Sequence, residues 1–353
     1  MTGSTLDRDF EKSRKRIARC LSRYFDGRAA GLAAVNAWGA DFTRRIRPFV
    51  LGGKMIRGGL ILIAHDRLGG KAGPDAVKAA AAMELFHSAF LIHDDIMDDD
   101  PLRRGKPSIH VQYAAQARRK GVNDAPGFGR AAALCAGDVL IFMGLEILAS
   151  LAAPAPDKAR VLSLFGRELA HVGPAQVQDV YSGRIRRPVS RAGIYRLYAF
   201  KTARYTYSLP LAAGALLAGA GQSAIRGLED IGLDLGLVFQ IKDDEIGMFG
   251  SPSATGKPVG SDVGEGKKTL YYLYLSRARG PRAAALFGKR RPAAGDISRL
   301  NALLRTEKIP ERIEADVRRI AGRCARRIRG AALPPPMKTA LSELLASSLG
   351  RKV

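Results

Sequence analysis

The chain has 353 residues, 46% hydrophobic and 25% charged, the balance of an ordinary globular protein that can bury a large core. Lys and Arg outnumber Asp and Glu by 57 to 33, and the net charge of +24 suits anionic partners: phosphorylated substrates, nucleic acid or an acidic membrane surface. Three scattered cysteines (Cys20, Cys135, Cys324) argue against a disulfide framework or a zinc cluster; a polar N-terminus and the lack of a long unbroken apolar run point to a cytoplasmic protein without a transmembrane segment.

In chain order, the first feature is GGKMIR. Gly52 and Gly53 let backbone come close to a phosphate, and Lys54 and Arg57 supply charge, although a plain turn before a helix fits the same residues. Met83 to Met97 reads as helix, with Leu85, Phe86, Ala89, Phe90 and Ile96 at helical spacings. It runs into LIHDDIMDDDPLRRGKP, where five aspartates fall within the seven residues from Asp94 to Asp100. Asp94 and Asp98 are four apart and share one helical face, a repulsive arrangement unless a cation binds there. Hard divalent cations such as Mg2+ bridge carboxylates to phosphates, and Arg103 and Arg104 just beyond suit the same anions. A solvated acidic helix end is the alternative. Asp99 and Asp100 read as solvated neighbours.

Gly121 to Arg130 and Pro154 to Asp157 carry loop breakers, and Ala131 to Leu151 between them is an apolar helix. Tyr195 to Gly221 and Ile231 to Met248 read as further helices. The first contains FKTARYTY, with Lys201, Thr202 and Arg204. The second ends in a new carboxylate pair, Asp243 and Asp244. A loop from Gly250 to Gly266 follows, and Lys257, Lys267 and Lys268 lie in or beside it. The C-terminal helices are heavily basic. They lack interleaved aromatics and read as solvated surfaces, with no nucleic-acid partner expected. Strand-like runs are nearly absent, and no repeat or linker splits the chain. One all-α domain over 1–353 is expected, with about 20 N-terminal residues and the last few mobile. Two apolar helices ending in paired carboxylates, if they face each other, can hold several metal ions around one polyanion.

Together these residues resemble the trans-isoprenyl diphosphate synthases of the polyprenyl synthetase family, particularly geranylgeranyl diphosphate synthases. The ordered motifs are GGKMIR, DDIMD with RRGKP, AQVQD (Gln176, Asp179), KTARY, FQIKDD, TGKPVGSD and EGKKT. The resemblance implies an isoprenoid-synthase-type helix bundle with a central cavity, acting as a homodimer. It implies Asp94, Asp98 and Asp243 as ligands to about three Mg2+ ions, with Asp95 and Asp244 in support. By position, Arg103, Lys201, Gln240, Lys257 and Lys267 would hold the allylic diphosphate. Gly53, Lys54, Arg57, His87 and Arg104 would bind isopentenyl diphosphate, and Lys201 and Thr202 would assist catalysis. Read without the resemblance, His87 is a satisfied core histidine. Two departures stand out: Gly247 takes the place of a third aspartate in the second motif, and Gly58 replaces a usual Pro, a change expected to matter little.

The implied reaction joins isopentenyl diphosphate head-to-tail to an allylic diphosphate, giving an all-trans short-chain product. Phe86, Ala89 and Phe90, upstream of Asp94, would set its length. The DDIMD spacing and the TGKPVG loop favour C20, with C15 or C25 as alternatives. A terpene cyclase lacks GGKxxR and a second DD motif. A non-catalytic regulatory subunit tends to lose the aspartates that this chain keeps.

Overall fold

The computed structural model describes residues 5–71, 73–185, 189–249, 261–264, 266–280, 283–288 and 293–351. The expected all-α class holds, since helix accounts for most of them and strand for a single hairpin of two-residue strands. The chain divides into two compact units, residues 1–164 with 210–221, and residues 165–209 with 222–353.

The first unit contains α1 (Thr5–Val35), α2 (Ala37–Leu51), α3 (Ile56–Arg67), α4 (Pro74–Met97), α5 (Ile109–Arg119), α6 (Ala125–Ala149), the start of α7 (Ala155–Arg184) and nearly all of α9 (Leu209–Leu217). At its centre α4 packs against α1, α3 and α6. Its run from Ala79 to Ala82 is fully buried, and small side chains there let neighbouring backbones approach. Glycines on the partners do the rest. A Cβ on Gly58 of α3 would lie 2.7 Å from the Ala80 carbonyl oxygen, and one on Gly144 of α6 would lie 2.8 Å from the Phe86 ring.

Three local readings need correction. The stretch Gly121 to Arg130 is not all loop. Asp124 caps α6 by accepting from the Gly127 N–H at 2.9 Å, and Pro126 occupies the first turn, where its missing N–H costs nothing. α7 likewise begins at Ala155, inside the second expected loop. The third concerns length alone: α6 is the one helix among the described residues long and apolar enough to cross a membrane, which is weak evidence for a span, and 44% of its apolar window is buried in the protein. Its inner face belongs to the core shared with α4 and α5.

Between α4 and α5 lies one small hairpin, β1 (Leu102–Arg103) paired antiparallel with β2 (Lys106–Pro107). Its central residues, Arg104 and Gly105, have φ of +54° and +73°, the double left-handed geometry of a type I′ turn. That turn sends the two adjacent arginines to different partners.

The second unit holds the rest of α7, α8 (Arg191–Tyr198), a ten-residue π-helix (Ala199–Ser208), α10 (Gln222–Phe249), α11 (Ser261–Gly264), α12 (Leu270–Arg279), α13 (Ala294–Thr306), α14 (Ile309–Gly330) and α15 (Pro335–Leu349). The single helix expected over Tyr195 to Gly221 is therefore interrupted by the wider π geometry, which often marks functional sites. α10 packs backbone to backbone on this stretch. Built Cβ atoms on Gly232 and Gly236 would lie 2.7 Å from Ser208 Cα and 2.4 Å from Ala203 Cα. Behind α10, fully buried Asp234 accepts from Arg323 Nε at 3.0 Å and Arg327 Nη1 at 2.8 Å, fastening it to α14.

Candidate active site

The end of α4 carries the first acidic motif. Asp98 N–H donates to the Asp94 carbonyl at 2.9 Å, so the helix persists long enough to put both carboxylates on one face, one turn apart. Both are half-buried. Asp95 turns inward, 0% exposed, and accepts from Arg103 Nε at 2.7 Å as well as from its Nη2. Burial pushes the Asp95 pKa up to about 6, against the pull of Arg103 and with the help of Asp100 and Asp94. Asp95 thus anchors Arg103 at the motif's edge. Asp100 shares that task, and here the expectation of a solvated residue fails. It is buried, its N–H donates to the Asp95 carbonyl at 2.9 Å, and its carboxylate lies 3.4 Å from Arg103. Only Asp99 is exposed, at φ +54°, a conformation Asp tolerates better than most residues.

Two turns upstream on α4 is a cationic cluster. Arg57 Nη1 lies 3.1 Å from His87 Nε2. Burial first, then Arg57, Arg104 and Arg103, hold the His87 pKa well below 6.5. The ring is therefore neutral, with Nε2 accepting from Arg57 and Nδ1 carrying the proton. Arg104 Nη1 donates to the Phe49 carbonyl at 2.8 Å, and its guanidinium lies 5.4 Å from the centre of the Phe49 ring. A Cβ on Gly53 would be 3.3 Å from Arg104 Nη2, so the glycine admits the arginine. Gly53, Arg57, His87 and Arg104 are thus brought together, and Lys54 is exposed on the turn beside them.

Under this cluster lies a residue that sequence reasoning missed. Glu84 is 3% exposed and accepts from the Gly58 N–H at 2.8 Å. Burial raises its pKa even though Arg57 and Arg104 are near. An acid in the alanine-rich middle of this helix, three residues before His87, was the available signal. Gly58 is consequently not a neutral departure. Proline has no N–H to offer Glu84, and its ring would meet the Ala80 carbonyl.

In the second unit the two aspartates of α10 diverge. Asp243 is exposed and lies 3.1 Å from Arg351 Nη2, whose guanidinium sits 4.2 Å from the centre of the Phe239 ring. A cation already faces this carboxylate. Asp244 is buried, accepting from Gln240 Nε2 at 2.8 Å and from the Tyr198 hydroxyl. That hydroxyl also accepts from Leu270 N–H at 3.2 Å, tying the segment after EGKKT to the second motif. Burial, then Asp244, hold the Tyr198 pKa well above 10, so it remains a donor. Tyr198 too was missed, because its partners are far away in sequence. On the π-helix Lys201 pairs with Asp179 of α7, Arg204 grips Glu168 at 2.7 and 2.8 Å, and Thr202 is half-buried. Gln176 is buried, Lys267 is half-buried, and Lys257 lies outside the described residues.

Of the positions expected to set product length, Phe90 is half-buried and shares the Asp94 face, one turn upstream. Phe86 is buried against Gly144, and Ala89 is fully buried on another face of α4.

The donor set at both motifs is carboxylate oxygen alone. No group of three His, Cys, Asp or Glu that could hold a metal ion is found among the described residues. Carboxylate oxygens suit a hard cation that completes its shell with water and substrate oxygens, as Mg2+ does, better than a tetrahedral zinc site.

Residues 42–304 match the polyprenyl synthetase family. The chain is 33% identical to the geranylgeranyl diphosphate synthase of Mycobacterium tuberculosis, with 95% of this chain and 92% of that protein aligned. It is 34% identical to the geranylgeranyl diphosphate synthase of Sulfolobus acidocaldarius over 64% of this chain, and spans 63% of that relative's length. Its fold is similar to that of a geranylgeranyl pyrophosphate synthase of Corynebacterium glutamicum, solved with isoprenyl diphosphate and magnesium, with a TM-score of 0.90, 28% identity, and 99% and 100% of the two chains covered. Fold and ordered motifs together are those of an all-α protein of this kind. The chain belongs to the polyprenyl synthetase family.

Proposed function

We propose that this protein condenses isopentenyl diphosphate with an allylic diphosphate, head-to-tail, to give geranylgeranyl diphosphate. The observation that carries the reading is the layout of α4. An acidic pair, Asp94 and Asp98, closes its end, and the neutral His87 with Arg57 and Arg104 lies two turns upstream. A metal-bridged diphosphate needs the first; a diphosphate held by protein cations alone needs the second. The Corynebacterium structure, solved with isoprenyl diphosphate and magnesium, supports a prenyl diphosphate ligand and a divalent ion.

Asp94, Asp98 and Asp243 would hold Mg2+, three ions as the family resemblance implies. When bound, the metal neutralises charge developing on the leaving diphosphate. Arg103, held ready by Asp95 and Asp100, together with Lys201, Gln240, Lys257 and Lys267, binds that diphosphate. Gly53, Lys54, Arg57, His87 and Arg104 bind isopentenyl diphosphate. The allylic C–O bond breaks, the double bond of isopentenyl diphosphate attacks the allylic cation, and the proton lost goes to a diphosphate oxygen. Thr202 and Lys201 border the reacting carbons.

The family includes longer-chain synthases, so this chain's own side chains set product length. Phe90 is the floor of the tail cavity in this reading, because it lies one turn below Asp94 on the same face. Phe90→Ala is expected to shift the product spectrum from C20 to C25 and longer, measured by mass spectrometry of extracted prenyl alcohols. An unchanged spectrum removes Phe90 from that role.

A homodimer is the proposed assembly. On α6, Leu134, Phe142 and Leu145 are exposed on one face beside Asp138, Phe142 being 68% exposed, which suits a second copy of the chain. Phe142→Glu is expected to convert a dimer into a monomer by sedimentation velocity, with the helical circular dichroism intact. A dimer that persists in this variant places the interface elsewhere.

A further inference from the structure

α7 presents three faces. Asp179, paired with Lys201, and Gln176 lie on one, and Val177 and Tyr181 are exposed on a second. His171, Ala175, Gln178 and Ser182 recur at three- and four-residue spacings on the third. This third face walls a cavity of about 490 Å³, within the range of small-molecule sites. Ile194 and Leu197 of α8 and Phe200 of the π-helix form the opposite apolar wall. None of the described residues assigned above to diphosphate or metal lines it.

Lys268 also lines the cavity, and it is 6% exposed. Its ammonium lies 4.0 Å from the centre of the Tyr272 ring, and no carboxylate pairs with it among the described residues. A buried ammonium without an anion is costly, and burial alone lowers its pKa. The lining offers no remedy. Among the described residues its ionisable groups are Lys268, Arg196 and His171, all cationic when charged, with no acid among them. A cavity with one apolar wall and a buried lysine that no described carboxylate neutralises suits a ligand bearing one negative charge.

We propose that this cavity is a second small-molecule site, taking an amphiphile with a single anionic head on a short apolar body. The head, a carboxylate or a phosphate monoester, meets Lys268, and the body lies against Ile194, Leu197 and Phe200. The site stands independently of the prenyl-transfer reading, since it uses none of that chemistry.

Isothermal titration of the full chain with decanoate, decyl phosphate and uncharged decanol tests this. Binding of at least one anion is expected, and the stronger of the two identifies the head group. Lys268→Met should weaken anion binding by about tenfold or more and leave decanol unchanged. Ala175→Phe, or Leu197→Trp should the first variant fail to fold, fills the space and should abolish binding of all three. Absence of anion binding to the native chain overturns the proposal. So does equal anion affinity in the native chain and either the Lys268→Met or the cavity-filling variant, which would place the ligand elsewhere.

Discussion

Asp94→Ala should reduce turnover with isopentenyl diphosphate and farnesyl diphosphate by about a hundredfold or more, the scale of losing one preorganised group that stabilises developing charge. The carboxylate is half-buried at the end of a continuous helix, so its removal leaves no large cavity. Circular dichroism and thermal melting should stay near those of the native chain. Asp99→Asn is the control. Asp99 is exposed in the left-handed region, where Asn is well tolerated, and near-native turnover is expected. Steady-state rates at saturating Mg2+ separate the two outcomes. Near-native turnover in Asp94→Ala would remove it from the metal site. Asp243 carries the same expectation with one difference. Arg351 already faces it, so the ion must compete with a guanidinium for that carboxylate.

The second large effect is on stability. Asp234→Ala should lower the unfolding free energy by about 3 kcal/mol, near the lower end for breaking a buried ion pair. Asp234 is fully buried, but Arg323 and Arg327 are each partly exposed and regain water when it is lost. Asp234→Asn keeps hydrogen-bond acceptors and should cost less. Urea denaturation followed at 222 nm measures both. Because α10 carries Asp243 and Asp244 beyond this anchor, the Ala variant should also lose activity before it unfolds globally. Equal stability of the native and Ala chains would show that the pair contributes nothing net.

Much of the candidate site's geometry was legible because its parts are local. Asp94, Asp98, Arg103 and Arg104 follow one another within a helix end and a tight turn, where spacing fixes faces. What was illegible depends on distant pairs. Glu84 and Gly58 are 26 residues apart, Tyr198 and Asp244 46 apart, and Tyr198 and Leu270 72 apart. A burial pattern cannot show which acid receives which donor. Asp100 looked solvated because a run of aspartates suggests repulsion, yet Arg103 folds back over it. The π-helix was hidden for a related reason. Its wider turns answer to the glycine ridge of α10, and the segment's own residues read as ordinary helix.

The most direct measurement is the product formed when the purified chain is incubated with isopentenyl diphosphate and, in turn, dimethylallyl, geranyl and farnesyl diphosphate. The expected result is an all-trans C20 diphosphate from each primer, present with Mg2+ and absent with excess EDTA. Folded protein that extends none of the primers in the presence of Mg2+ would contradict the proposed condensation.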